Sequence, residues 1–239
     1  MTVKFNDDII PGDVIALGDI HATATLYDKF LAWVKDTGCT VVLLGDMIDR
    51  GGEDLNVLEK TRNLLEDSEG WGLQAFYALM GNHERMFLDY VTAPNWGMGE
   101  WLQNGANFDQ MEEIKRLHTE WIRELPIYMT IGDVLFVHGG IFPGHDPQKT
   151  IDENRAESFL WMREPFLKHG PEFHKWSPNL KKVVHGHTPT LFEDGGVKRQ
   201  PVVKEDRVNI DTGAYSKRDG CLTAYNVTQN TFKQFFHKP

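Results

Sequence analysis

Short apolar runs alternate with amphipathic segments along most of the chain. Runs with the length and composition of buried strands occupy residues 14–17, 41–44, 75–79, 134–137, 182–184, 208–210 and 222–227. Apolar residues at helical spacing occupy residues 25–36, 55–65, 84–90 and 108–122. Strands that alternate with helices predict a layered α/β domain. The C-terminal third has strands and turns but fewer helices, which predicts a mixed or second sheet.

Three segments interrupt this pattern and are predicted to be irregular loops. They are residues 92–105, 139–150 and 193–200, and any of them could border a functional site. The first segment is rich in Gly, Asn and Trp. Its two tryptophans, Trp96 and Trp101, either line a substrate cleft or close a small subsidiary core.

Length, composition and net charge indicate a globular protein that does not bind nucleic acid. The chain has 239 residues, of which 41% are hydrophobic, and we expect a single domain over residues 1–239. A net charge of −10 argues against nucleic acid as a partner. It does not exclude a small anionic substrate, because bound cations can reverse the field locally.

Cellular location is predicted from what the sequence lacks. The two cysteines, Cys39 and Cys221, have no C-x-x-C spacing and are predicted to be buried thiols in a reducing cytoplasm. The N-terminal residues contain no apolar signal-peptide core. No run approaches the roughly 18 apolar residues of a membrane span, so no membrane association is expected.

Polar side chains that can bind metals follow the ends of several predicted strands. In an open α/β sheet such positions gather at one rim, outside the carboxyl ends of the strands. A mixed set of oxygen and imidazole ligands suits Mn, Fe, Zn or Ni better than Ca or Mg. The predicted metal ligands are Asp19, His21, Asp46, Asn82, His138 and His187.

Asp46 is the natural bridge between two cations, because a carboxylate has two oxygens. Two metals about 3.5–4 Å apart can hold a hydroxide between them and stabilise both the attacking and the leaving oxygen. The absence of thiolates from the set argues against a structural zinc site. The predicted cofactor is therefore a pair of divalent metal ions, with Mn the first choice and Fe, Zn or Ni as alternatives.

The motifs that carry these residues resemble the calcineurin-like metallophosphoesterase superfamily. They are Gly-Asp-Ile-His at 18–21, Gly-Asp-Met-Ile-Asp-Arg-Gly at 45–51, Gly-Asn-His-Glu at 81–84, Val-His-Gly at 137–139 and Gly-His-Thr at 186–188. Asp-Arg-Gly and Asn-His-Glu are similar to the phosphoprotein-phosphatase branch, and most of all to its bacterial and phage lambda-type members. The resemblance implies an α/β/β/α sandwich in which helices flank two mixed sheets.

The resemblance also implies the metal ligands of each site. Asp19, His21 and Asp46 would hold the first metal. The second would be held by Asp46 together with three further residues. These are Asn82, His138 and His187.

Catalytic roles follow from the same motifs. His83 would be the general acid that protonates the departing alkoxide, and Asp49 would orient it. Arg50 would bind phosphate oxygens through bidentate hydrogen bonds from its planar guanidinium. Arg163 would be a second phosphate-binding arginine, and Asn82 would also contact substrate. The implied reaction is in-line attack of a metal-bridging hydroxide on phosphorus, with no covalent enzyme intermediate.

The chain departs from the family pattern at two positions. Ala22 stands where the family usually has Gly, and Met80 stands where phosphoprotein phosphatases usually have Arg. His185 lies two residues before His187, and the two could chelate one metal. A non-ligand role is predicted for His185, because its position matches that of a non-ligand residue in the phosphatases that the chain resembles. The histidines outside the motifs are predicted to be surface or loop residues, with a substrate contact as the alternative for His145. They are His118, His145, His169, His174 and His237.

Three functions remain open at this point. The leading one is a phosphatase of phosphoserine and phosphothreonine proteins or of small phosphoesters. The alternative is hydrolysis of diadenosine tetraphosphate or a related dinucleotide, because residues 137–143 and the Trp-x-Arg segment at 161–163 are similar to that neighbouring family. That family usually carries Ala-Arg-Gly where this chain has Asp-Arg-Gly at 49–51. The third function is a non-catalytic binding module. The oligomeric state is left open.

Overall fold

The computed structural model describes residues 3–238, except for the side chains of residues 95–97 and 100. Ten strands occur within this range. They are β1 (Val14–Leu17), β2 (Thr40–Leu43), β3 (Ala75–Ala78), β4 (Tyr128–Ile131), β5 (Val134–Val137), β6 (Lys182–His185), β7 (Val202–Val203), β8 (Arg207–Asn209), β9 (Leu222–Asn226) and β10 (Thr231–Phe235). Three of them, β4, β7 and β10, had no counterpart among the predicted strands.

The strands form two mixed sheets of five strands each. The first sheet has the order β10-β9-β1-β2-β3, and the second has the order β4-β5-β6-β8-β7. β1, β2 and β3 run parallel, as do β5, β6 and β8. Antiparallel strands extend both sheets, so both are mixed.

Helices connect the strands and cover the outer faces of the sheets. The α-helices are α1 (Ala24–Val34), α2 (Asp54–Glu66), α3 (Asn82–Thr92), α4 (Pro94–Gln103), α5 (Met111–Arg123), α6 (Pro147–Asp152), α7 (Ser158–Trp161) and α8 (Phe166–His169). Short 3₁₀ helices span Phe108–Gln110, Phe173–Lys175 and Thr190–Phe192. Among the described residues, no helix combines the length and apolar character that crossing a membrane requires.

Side-chain alternation along the strands explains the layered core. Ala16 and Val42 of the first sheet pack against Phe136 and Val184 of the second, between the two sheets. Neighbouring strand residues point to the opposite face, where those of the first sheet pack against α1 and α2. The outer face of the second sheet is covered by Phe159 and other apolar residues. The predicted α/β/β/α arrangement is confirmed.

The prediction of an irregular segment over residues 92–105 is wrong, because α4 occupies most of it. Proline at its first position suits a helix start. Trp101 is buried, and its ring centroid lies 5.6 Å from that of Phe87 and 5.2 Å from that of Tyr90 on α3. This packing overrides the poor helix propensity of the two glycines in α4. Trp101 therefore belongs to the core, while the side chain of Trp96 lies outside the described residues.

Of three other predictions, one is confirmed, one is wrong and one is correct only in part. Both cysteines are free and buried, as expected. The prediction of a surface position for His118 is wrong, because His118 is buried on α5 and accepts a hydrogen bond from Trp121 Nε1 at 2.9 Å. The segment 139–150 is a loop only in part, because α6 begins near its end at residue 147.

Candidate active site

The carboxyl ends of the parallel strands in both sheets meet at one rim. Asp19 and Asp46 follow β1 and β2, and Asn82 opens α3 after β3. His138 follows β5, and His187 follows β6. The first sheet thus supplies the oxygen ligands and the His21 imidazole, and the second sheet supplies the other two imidazoles. The structure brings the predicted metal ligands together.

The loops at this rim bend sharply through left-handed backbone. His21, Asp46 and His187 have φ values of +47°, +51° and +67°. Residues other than Gly are disfavoured there because Cβ approaches the following carbonyl. Ala22, with φ of +51°, shares this conformation and is fully buried. Ala22 carries a methyl group where the family usually has Gly, so its left-handed backbone is strained.

Backbone carbonyls orient two of the imidazoles. His21 Nδ1 donates to the Ile48 carbonyl at 3.0 Å, and His138 Nδ1 donates to the Leu44 carbonyl at 2.9 Å. Each ring thereby presents the Nε2 lone pair to the interior of the site. Burial also lowers the pKa of His21 well below its ordinary value and that of His138 to about 3. Both rings are held neutral, the form that binds metal.

Asp46 lies between two groups of ligand atoms. Its Oδ2 lies 3.5 Å from His21 Nε2, and its Oδ1 lies 3.3 Å from His138 Nε2. Asn82 Oδ1 lies 2.9 Å from His138 Nε2 and 2.8 Å from His187 Nδ1. Each carboxylate oxygen of Asp46 faces a different group, which is the arrangement expected of a bridging ligand.

Electrostatics at this rim favour cations. Burial raises the pKa of Asp19 well above its ordinary value, and repulsion from Asp211 and Asp46 raises it further. Burial, followed by the charge of Glu84, likewise raises the pKa of Asp46. Buried carboxylates in contact with neutral imidazoles and few cationic side chains fit divalent metal ions, which would neutralise them. His187 Nε2 is buried without a hydrogen-bond partner in the described part of the chain, which also fits such a site.

His83 and Asp49 form a buried pair beside the metal ligands. His83 Nδ1 lies 2.6 Å from Asp49 Oδ2, and the same oxygen accepts a hydrogen bond from Trp101 Nε1 at 2.8 Å. His83 Nε2 is buried without a partner among the described residues and lies 3.8 Å from Asp46 Oδ2. Burial raises the pKa of Asp49 to about 8 and lowers that of His83. The free nitrogen of His83 faces the site, where it can exchange a proton.

Arg50 and Arg163 are the predicted phosphate-binding cations, and both have exposed side chains. Arg50 Nη1 lies 2.5 Å from His21 Nε2, and its guanidinium lies 4.8 Å from the centre of the Tyr215 ring. His21 Nε2 has one lone pair, so a cation bound there would free the Arg50 guanidinium for substrate. Met80, at the position of the family's usual arginine, is buried in the core and supplies no phosphate contact.

Comparison with known proteins agrees with this geometry. The family model described as calcineurin-like phosphoesterase matches residues 12–214. The chain belongs to the calcineurin-like phosphoesterase family. The family assignment leaves the phage lambda-type branch undecided.

Curated relatives of this phosphoesterase are named as dinucleotide hydrolases. The symmetrical bis(5′-nucleosyl)-tetraphosphatase of Paraburkholderia phymatum is 27% identical over 71% of this chain and 58% of its own length. That of Janthinobacterium sp. is 20% identical over 94% of this chain and 72% of its own length. The asymmetrical bis(5′-nucleosyl)-tetraphosphatase PrpE of Oceanobacillus iheyensis is 23% identical over 90% and 89%. The chain thus spans little more than half of the first of these relatives.

Solved structures share the fold. A crystal structure of a "putative diadenosine tetraphosphatase" matches with a TM-score of 0.62, 18% identity and complete coverage of both chains. A serine/threonine phosphatase from Saccharomyces cerevisiae has a TM-score of 0.62 at 16% identity, covering 95% of this chain and 81% of its own. A cold-active protein-tyrosine phosphatase from Shewanella sp. has a TM-score of 0.59 at 20% identity, covering 98% and 83%.

Glu84 anchors the metal-binding loop of this phosphoesterase, a role that the sequence analysis missed. Its buried carboxylate accepts the backbone N–H groups of Asp46 at 2.8 Å, Met47 at 2.7 Å, Ile48 at 3.3 Å and Gly81 at 2.9 Å. These bonds hold the sharp turn after β2 against the start of α3. The Glu in the Gly-Asn-His-Glu motif was the available signal.

His185 belongs to a separate buried network of this phosphoesterase. Its Nε2 lies 3.4 Å from Arg207 Nη1, and its ring centroid lies 5.0 Å from that of Phe166. Arg207 forms a buried ion pair with Glu193, whose other oxygen accepts a hydrogen bond from Asn209 at 3.0 Å. Asn209 also donates to the Thr188 carbonyl at 2.7 Å. The network supports the loop that carries His187.

Proposed function

We propose that this phosphoesterase hydrolyses dinucleoside polyphosphates, of which the bis(5′-nucleosyl) tetraphosphates are the leading class. The convergence of predicted ligands from both sheets around Asp46 is the observation that carries the reaction type. The names of the curated relatives support the substrate class. The absence of an arginine at Met80 argues in the same direction, because one phosphate contact of the phosphoprotein phosphatases is missing.

In this proposal two sets of residues hold the cations, and Mn is the leading candidate for the metal. Asp19, His21 and Asp46 hold the first. Asp46 holds the second together with Asn82, His138 and His187. Metals in such a pair activate water and polarise phosphoryl oxygens.

The remaining residues bind, orient and exchange protons. Arg50 and Arg163 bind the oxygens of the phosphate chain. A metal ion held by His21 Nε2 would take the lone pair that Arg50 contacts and leave the Arg50 guanidinium for substrate. His83 holds a proton at Nε2 for the leaving oxygen. Asp49 fixes the His83 tautomer through its 2.6 Å contact with Nδ1.

A second candidate is a phosphatase of phosphoserine and phosphothreonine proteins or small phosphoesters. The observation that favours it is the His83–Asp49 pair. An alkoxide leaves poorly and gains most from a general acid, whereas a nucleotide leaves readily without one. Asp49 is also the residue that dinucleotide hydrolases usually replace with Ala.

Initial rates of the Mn-loaded protein on diadenosine tetraphosphate and on a phosphothreonine peptide, measured side by side, separate the two candidates. We expect faster turnover of the dinucleotide and loss of both activities in a chelated sample. Preference for the peptide would replace the proposed substrate class with the second candidate.

His83→Asn tests the general acid within the same assay. It should lower turnover of an alkyl phosphate much more than that of an aryl phosphate, because only the alkoxide needs a proton as it leaves. His169→Asn, at an exposed histidine outside the motifs, is the matched control and should change neither rate. Equal losses on both esters in His83→Asn would remove the assignment.

A further inference from the structure

We propose that a pocket beside the metal site binds one nucleoside of the substrate, an inference that rests on the proposed function. The pocket has a volume of about 180 Å³ and lies between the 3₁₀ helix Thr190–Phe192 and residues 212–220. Phe192, Leu191 and Tyr215 supply its apolar wall. This small cavity is referred to below as the Tyr215 pocket.

Tyr215 places this pocket next to the proposed phosphate site. Tyr215 lines the pocket, and its ring also contacts two residues of the rim. Its centroid lies 5.4 Å from that of the predicted ligand His21, and the Arg50 guanidinium lies 4.8 Å from it. A ligand with phosphate on Arg50 can therefore reach the pocket with the group attached to that phosphate.

The walls of the pocket suit a flat aromatic group. Phe192 is 75% exposed, so most of its ring is open to a ligand. Leu191 and Tyr215 are also exposed beside it. Nucleobases stack on such rings because every base has a π-face.

Charge around the pocket suits an aromatic group that is joined to phosphate. Lys198 and Arg199 line the same pocket. Lys198 is paired with Asp219 at 2.9 Å, whereas Arg199 donates to the uncharged Arg218 carbonyl at 2.6 Å. The pocket lining thus holds two cations, Lys198 and Arg199, and one carboxylate, Asp219, so the edge of the apolar wall is positive. Aromatic wall, positive edge and adjacent phosphate site together match a nucleoside 5′-phosphate.

Titration calorimetry of the Mn-loaded protein with adenosine 5′-monophosphate and with inorganic phosphate tests the proposal. Phe192→Ala should raise the dissociation constant of the nucleotide about tenfold and leave that of inorganic phosphate unchanged. Tenfold corresponds to about 1.4 kcal/mol, within the range for one base stacked on an aromatic ring. Phe192→Tyr retains a ring and should restore nucleotide affinity.

Tyr77→Ala is the matched control, because it removes an exposed ring on β3 outside the pocket. It should leave both affinities unchanged. An unchanged nucleotide affinity in Phe192→Ala would overturn the pocket assignment, as would equal losses for nucleotide and inorganic phosphate.

Kinetics distinguish failure of the pocket from failure of the proposed function. Phe192→Ala should raise the KM for diadenosine tetraphosphate more than it lowers kcat. A wild-type protein that cleaves the dinucleotide, with the same KM in Phe192→Ala, would refute the pocket and leave the function standing. A wild-type protein that cleaves only a phosphopeptide, with a KM that depends on Phe192, would assign the pocket to a peptide side chain and reject both proposals.

Discussion

Replacing Glu84 by Gln tests whether one buried carboxylate organises the metal-binding loop. Each oxygen of Glu84 accepts two backbone N–H groups, so the four bonds divide evenly between them. In Glu84→Gln the amide nitrogen replaces one oxygen, and two buried N–H groups lose their acceptor. Each unsatisfied group costs about 1–3 kcal/mol, while relief of repulsion with Asp46 offsets part of the loss. We expect the free energy of unfolding to fall by about 2–5 kcal/mol.

Urea unfolding followed by circular dichroism, in the presence of a chelator, measures this loss without a contribution from metal. Glu66→Gln is the matched control, because Glu66 is an exposed residue of α2 that forms a surface ion pair with Arg62. It should cost less than about 0.5 kcal/mol. A loss below about 1 kcal/mol in Glu84→Gln would refute the reasoning. Manganese affinity supplies a second readout, and it should weaken in Glu84→Gln because the turn that carries Asp46 loses two anchors.

Three further predictions concern other buried polar groups. Trp101→Phe removes the hydrogen bond to Asp49, and should lower kcat about tenfold on alkyl phosphates with a smaller effect on aryl phosphates; equal effects would make Trp101 a packing residue only. Burial lowers the pKa of His118 from 6.5 to about 4 in the folded chain. As the pH falls from 6.5 towards 4, His118 therefore takes up a proton in the unfolded chain before it does so in the folded chain. Wild-type stability should fall over that window by up to roughly 3 kcal/mol more than that of His118→Gln, and parallel pH profiles of urea unfolding would contradict this. Glu193→Leu should cost about 3–5 kcal/mol by leaving Arg207 buried and unpaired, and adding Arg207→Met should recover much of that loss in thermal unfolding.

The layered fold was predictable because its signals are local. Apolar runs of strand length and amphipathic spacing depend on neighbouring residues, and polar residues after parallel strands converge by geometry alone. The helix α4 was missed because its stability comes from Trp101 packed against α3, a contact that local propensity does not encode. β4 and β10 are partly buried edge strands that form hairpins with β5 and β9, so they lack the continuous apolar run by which the inner strands were predicted.

The site could be predicted in its ligands but not in its supports. Asp46 and His138 lie in recognisable motifs, so the sequence indicated their clustering. The support from Glu84 and from Trp101 consists of hydrogen bonds to backbone or carboxylate groups far away in the chain. The strain at Ala22 depends on a φ value, which a residue name does not reveal.

The two sheets are held together by an apolar interface, and the proposed ligands add a second connection between them. Asp19 and Asp46 extend from the first sheet, whereas His138 and His187 extend from the second. The second cation, held by Asp46 and Asn82 from one sheet and by His138 and His187 from the other, would act as a cross-link between the layers. At a free metal concentration 100 times the dissociation constant, each ion that binds only the folded chain adds about 2.7 kcal/mol to the free energy of unfolding. The supply of metal in the cell would therefore set how long the chain survives proteolysis as well as how fast it turns over substrate.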